Sequence, residues 1–75
     1  MKLKGEIIKA SHNISRRYSR LRVNIDGTIY KIEIENYPRK GNIYEIEGLE
    51  IMLDGEINQE EKKVENPRNI WIRLL

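Results

Sequence analysis

Apolar and polar positions alternate with a period of two through most of this chain. LKGEIIK, SRLRVNID, TIYKIEIE, NIYEIEG, LEIML and NIWIRLL each alternate or run apolar, and they are rich in β-branched and aromatic residues. That is the pattern of short, half-buried strands. Turn signals separate them at Asp26-Gly27, Pro38 to Gly41, Glu47-Gly48, Asp54-Gly55 and Asn66-Pro67. No window has convincing helical spacing. The pattern predicts an all-β chain, a single domain over residues 1–75, built as a small antiparallel barrel of five or six strands. NQEEKKVEN, residues 58 to 66, is poor in apolar residues. It reads as a charged, exposed and mobile loop over 58–68, with one short helical turn as the alternative.

The sharpest local signal is Asp26-Gly27 between two alternating runs. A two-residue hairpin turn needs positive φ at both central positions, which Asp and Gly tolerate. Pairing Ile25 with Thr28 then sets Val23 opposite Tyr30, Leu21 opposite Ile32 and Ser19 opposite Ile34. One face, with Leu21, Val23, Ile25, Tyr30, Ile32 and Ile34, is the core face. The other pairs Asn24 with Ile29, Arg22 with Lys31, Arg20 with Glu33 and Tyr18 with Glu35. Arg20 opposite Glu33 is an ordinary cross-strand ion pair. Arg22 opposite Lys31 is different, because like charges directly opposite destabilise a sheet and call for an anionic ligand. Farther on, Tyr44 and Ile46 share one phase and Leu49, Ile51 and Leu53 the opposite one, so a turn or a bulge is expected at Gly48. A last strand, Ile70 to Leu75, turns Trp71 and Arg73 outward, with Trp71 either covering a barrel mouth or meeting a partner.

Net charge is only +2, yet residues 1–40 hold ten Lys and Arg against four Asp and Glu, while residues 41–75 hold four against eight. The halves therefore carry +6 and −4, a polarity that presents one side to a polyanion. KASHNISRRYSRLRV, residues 9 to 23, has no acidic residue at all. Absence of cysteine removes disulfides, thiolate chemistry and cysteine metal sites, and suits a reducing cytoplasm. The longest apolar run is shorter than a bilayer span and the start lacks a secretory h-region, so a cytoplasmic protein without membrane contact is expected. Thirteen isoleucines, 35% charged residues and no Phe lean toward a thermophilic host.

Catalytic chemistry finds no constellation. His12, the sole histidine, sits in the basic segment with no acidic neighbour to orient it, and reads as a loop histidine or a phosphate contact. Ser11, Ser15 and Ser19 lack a base. Glu45, Glu47, Glu50, Asp54 and Glu56 alternate with apolar residues, as an outer strand face does, more than they resemble a hard-cation site. Neither enzyme activity nor a metal or other cofactor is expected.

LKGEIIKA with Gly5, RLRVNIDGTIYKIEIE and RKGNIYEIEG together resemble a small OB-fold barrel over roughly residues 3 to 57. The opening resembles the bacterial translation initiation factor one family. YSRLRV, an alternating strand and Tyr37-Pro38 resemble the OB subunit eight of RNA polymerases. NYPRK stands where many OB domains carry a helix, which keeps an SH3-like barrel open as the alternative. The OB resemblance implies a binding face on strands two and three with loops at its rim. Here that face is Tyr18, Arg20, Arg22, Asn24, Ile29 and Lys31, with Arg16, Arg17, Arg39 and Lys40 in loops.

The expected function is non-catalytic nucleic-acid binding, RNA favoured over DNA, as a small subunit of a ribosomal, transcription or RNA-processing assembly. Lys9, Arg16, Arg17, Arg20, Arg22, Lys31, Arg39 and Lys40 would neutralise phosphates while Tyr18 stacks on a base. The alternative is a protein-interaction module that meets a partner through its acidic half and Trp71.

Overall fold

The structure, a computed structural model, describes residues 1–13, 18–35 and 46–73. Its five strands are β1 (Lys2–Asn13), β2 (Tyr18–Ile25), β3 (Thr28–Glu35), β4 (Glu50–Asn58) and β5 (Lys63–Arg73). They close into a barrel in the order β1-β2-β3-β5-β4.

β2 and β3 pair in the register that Asp26-Gly27 dictates, from Ile25 with Thr28 to Tyr18 with Glu35. Asp26 and Gly27 have φ of 52° and 87°, and the Gly27 N–H donates to Asn24 Oδ1 at 2.9 Å. All six residues of the expected core face are buried, and they pack with Leu3, Ile7, Ile51, Leu53 and Val64.

β1 is longer than LKGEIIK and serves two neighbours. Lys2 to Glu6 pair with β4, and Glu6 to Asn13 pair with β2. The strand must bend at that handover, and Gly5 stands there. A Cβ on Gly5 would lie 2.4 Å from the Asn24 carbonyl oxygen and 2.7 Å from Val23 Cγ1, so β1 and β2 approach to a distance only glycine permits. A register shift between Ile7 and Lys9 follows, leaving Ile8 as an extra residue.

Two expected turns lie inside paired strands, one in a bulge and the other opposite it. Asp54-Gly55 lies inside β4 and Asn66-Pro67 inside β5. Glu56 pairs with Glu65, Asp54 with Arg68 and Met52 with Trp71, so β5 spends one extra residue in each interval. Asn66 and Asn69, one in each interval, both have φ of 52°. Asparagine tolerates this left-handed conformation, and a bulge needs it as much as a turn does. Gly55 faces the first bulge, where a Cβ would meet Val64 Cγ1 at 2.6 Å.

The loop expected over 58–68 shrinks to a turn at 59–62, with the Glu61 N–H donating to Asn58 Oδ1 at 3.1 Å and Lys62 at φ 53°. β5 begins at Lys63. Ladder bonds to β4 hold this stretch as strand, and the single inward Val64 supplies its share of the core. Ile46 is buried, and of the turn or bulge expected at Gly48 the chain makes the turn, at Glu47-Gly48 with Gly48 at φ 88°. That turn docks on β1: the Gly48 N–H donates to the Ile7 carbonyl at 2.7 Å, and the Ala10 N–H donates to Glu47 Oε2 at 2.8 Å. The strand expected over NIYEIEG therefore ends in a turn at 46–48, and the rest of it lies outside the described residues, as do Pro38 to Gly41 and Leu74.

The barrel is not antiparallel throughout. β3 and β5 are parallel, bridged at Lys31 and Lys63, with the Lys31 N–H donating to the Lys62 carbonyl at 2.9 Å. Five strands in a ring cannot alternate direction all the way round, so one parallel pair is unavoidable. The fold class is a small all-β, five-stranded closed barrel of the OB-like or SH3-like kind.

Candidate nucleic-acid interface

Strand pairing assembles the site as rows that cross the strands. Lys9 on β1 pairs with Arg22 on β2, Arg22 with Lys31 on β3, and Lys31 with Lys63 on β5. Four cations thus lie side by side over four strands, roughly 14 Å at about 4.8 Å per strand. Lys9 and Arg22 are exposed and Lys31 is half-buried. Among the described residues, the ion pairs include none of these three.

Lys63 ends the row differently. Its ammonium lies 3.0 Å from Glu61 and 3.9 Å from Glu65, and the hydrogen bond with Glu61 holds its pKa above the ordinary lysine value. The unopposed charge is therefore centred on Lys9, Arg22 and Lys31. An open groove of about 220 Å³ runs beside it, lined by Arg22, Ile29, Lys31, Glu61 and Lys62.

The next row carries Arg20 opposite Glu33, and the expected ion pair forms at 3.5 Å. The same guanidinium lies 5.9 Å from the centre of the Tyr18 ring and donates to Tyr18 Oη at 3.3 Å. Arg20 is thus committed to two neighbours, whereas Arg22 is not. His12 lies on β1 and not in a loop, because ladder pairing with β2 extends through it to Asn13. Its Nδ1 shares a 2.9 Å hydrogen bond with the hydroxyl of Ser19, which is fully buried. Arg16, Arg17, Arg39 and Lys40 lie outside the described residues.

No known protein family, curated protein or solved structure matches this chain.

The far side of the barrel differs in character. There Lys4, Met52 and Trp71 form a row across β1, β4 and β5. Trp71 is 56% exposed. The carboxylates around it are engaged within the chain: Glu50 with Lys4 at 3.5 Å and Arg73 at 3.9 Å, Glu56 with Arg68 at 3.4 Å. Asp54 accepts from Asn69 Nδ2 at 2.8 Å, and this bond holds the Asp54 carboxyl below its ordinary pKa. A depressed carboxyl pKa contributes stability above the unfolded-state value and loses it as pH falls through the folded-state value. Asn69→Ala should therefore raise the Asp54 pKa and remove this contribution to the acid limb, read by NMR titration of the Asp54 carboxyl.

Sequence reasoning missed Lys62 and Lys63, which it assigned to a mobile loop. Two adjacent lysines were the available signal, but only the parallel β3–β5 bridge brings them beside Lys31.

Proposed function

We propose that this domain is a non-catalytic nucleic-acid-binding module that grips phosphates on the outer face of β1, β2 and β3, with RNA favoured over DNA. The observation that carries the reading is the row Lys9, Arg22, Lys31, three neighbouring cations among which no described carboxylate forms an ion pair. Placing three like charges side by side costs stability, and a phosphate backbone offsets that cost. The Greek-key route, with β5 entering between β3 and β4, supports the OB-like reading of the barrel over the SH3-like one. Tyr18, held against Arg20, stands at one end of the face, and Lys62 in the β4–β5 turn stands at the other. A domain this small, with Tyr18 as the one aromatic among the described residues of the face, suits docking within a ribosomal, transcription or RNA-processing assembly.

The test is fluorescence anisotropy with short single-stranded RNA, double-stranded RNA and duplex DNA across a salt series. Three phosphate contacts predict that single-strand affinity falls about twentyfold between about 50 and 200 mM salt. No binding at low salt would overturn the proposal.

One observation favours a second reading, a protein-docking surface around Trp71. Tryptophan, methionine and arginine are enriched at protein interfaces, and Trp71, Met52 and Arg73 lie together here. Since Glu50 and Glu56 are already ion-paired, the apolar Trp71 and Met52 lead that reading more than free acidic charge does. Such an interface responds weakly to salt, which separates the two.

A further inference from the structure

The bulge in β1 has a consequence for the cationic face. Ile7 is fully buried and Ala10 is fully buried, but the extra residue between Ile7 and Lys9 turns Ile8 outward next to Lys9. Ile8 is 45% exposed. Across β2, Ile29 is 50% exposed and pairs with Asn24 in the row adjoining Arg22 and Lys31. Two isoleucines thus flank β2 on its outer face, contributing little to the core and standing beside the unopposed cations. A regular strand would have sent only one of Ile8 and Lys9 outward. Bulges commonly re-aim a side chain at a binding site.

Two exposed isoleucines, one on either side of Asn24, beside a row of cations fit a ligand that is itself amphipathic on the same scale. A closed duplex presents phosphates outward and keeps the flat faces of its bases stacked inside. An unpaired nucleotide presents phosphate and apolar base face together. Tyr18 alone would be a sparse platform, and its ring already lies near Arg20.

Resting on the nucleic-acid reading above, we infer that Ile8 and Ile29 form an apolar shelf for unpaired bases beside the Lys9, Arg22, Lys31 row. The ligand class of this face is then nucleic acid with unpaired bases, a single strand or a loop, in preference to a closed duplex. Glu6, exposed on the β1 side of Asn24, bounds the shelf and keeps phosphates on the cationic side.

The experiment measures anisotropy binding of one short DNA strand, the same strand annealed to its complement, and an abasic strand of equal length. The same strands are then titrated with the I8S/I29S variant. Wild type should prefer the base-bearing single strand over the duplex and the abasic strand by about fivefold to tenfold. I8S/I29S should lose that preference while keeping its salt slope. I8T/I29T, which retains β-branched side chains, serves the same comparison if the serine variant melts early. Equal wild-type affinity for abasic and base-bearing strands, or an unaltered preference in the folded variant, would overturn the inference and leave phosphate binding standing. If wild type binds none of the strands at low salt, both readings fall.

Discussion

Gly5→Ala should be more damaging than alanine at any other described glycine. The new Cβ would sit 2.4 Å from a backbone oxygen, that of Asn24, and within 3 Å of the Val23 and Ile25 side chains. Overpacking of side chains alone costs about 1–3 kcal/mol, and a clash with backbone cannot be relieved by a rotamer change, so the expected loss is about 3 kcal/mol or more. A domain of this size has on the order of 4–11 kcal/mol in total. The melting temperature should fall by roughly 12–24 °C, or the fold should not form, as read by thermal and urea unfolding. Gly27→Ala is the informative contrast. Its Cβ would meet nothing within 4 Å, and only the φ of 87° is disfavoured, so its cost should stay near about 1–2 kcal/mol. Similar losses at both positions would mean that β1 and β2 are not in such close approach.

Removing the row is the second large effect. The triple variant K9A/R22A/K31A should bind short single-stranded RNA about a hundredfold more weakly at about 50 mM salt, and its salt slope should flatten by about 2. Its thermal stability should hold or rise slightly, since a like-charge cluster is relieved. R20A should do much less to affinity, because Arg20 is held by Glu33 and Tyr18. If R20A weakens binding more than R22A does, the phosphate track runs along the Tyr18 row and not along Lys9, Arg22 and Lys31.

Several features of the fold and of this face were readable along the chain. The Asp26-Gly27 hairpin and its complete register depend on two adjacent residues and on a period of two, both local properties. That register alone puts Tyr18, Arg20 and Arg22 on the outer face and brings Lys31 to Arg22. A break at Gly48, turn or bulge, followed from a change of phase between neighbouring segments, and the structure makes it a turn. By contrast, Asp54-Gly55 and Asn66-Pro67 have the composition of turns yet lie inside paired strands. A glycine or a left-handed asparagine reports that the backbone departs from regular strand geometry, and chain reversal and bulging make the same local demand. Which occurs depends on whether a partner strand continues past that point, and β4 and β5 continue past each other.

The sequence by itself determined an all-β domain, its central hairpin and the cations of β2 and β3, because alternation and turn chemistry act between near neighbours. Only the tertiary structure decided that Lys9 extends the row on one side and Lys63 on the other, that Lys62 joins the groove, and that Ile8 faces out with Lys9. Those placements depend on a bulge and on the parallel pair that closes an odd-numbered ring. Both are properties of how distant strands meet.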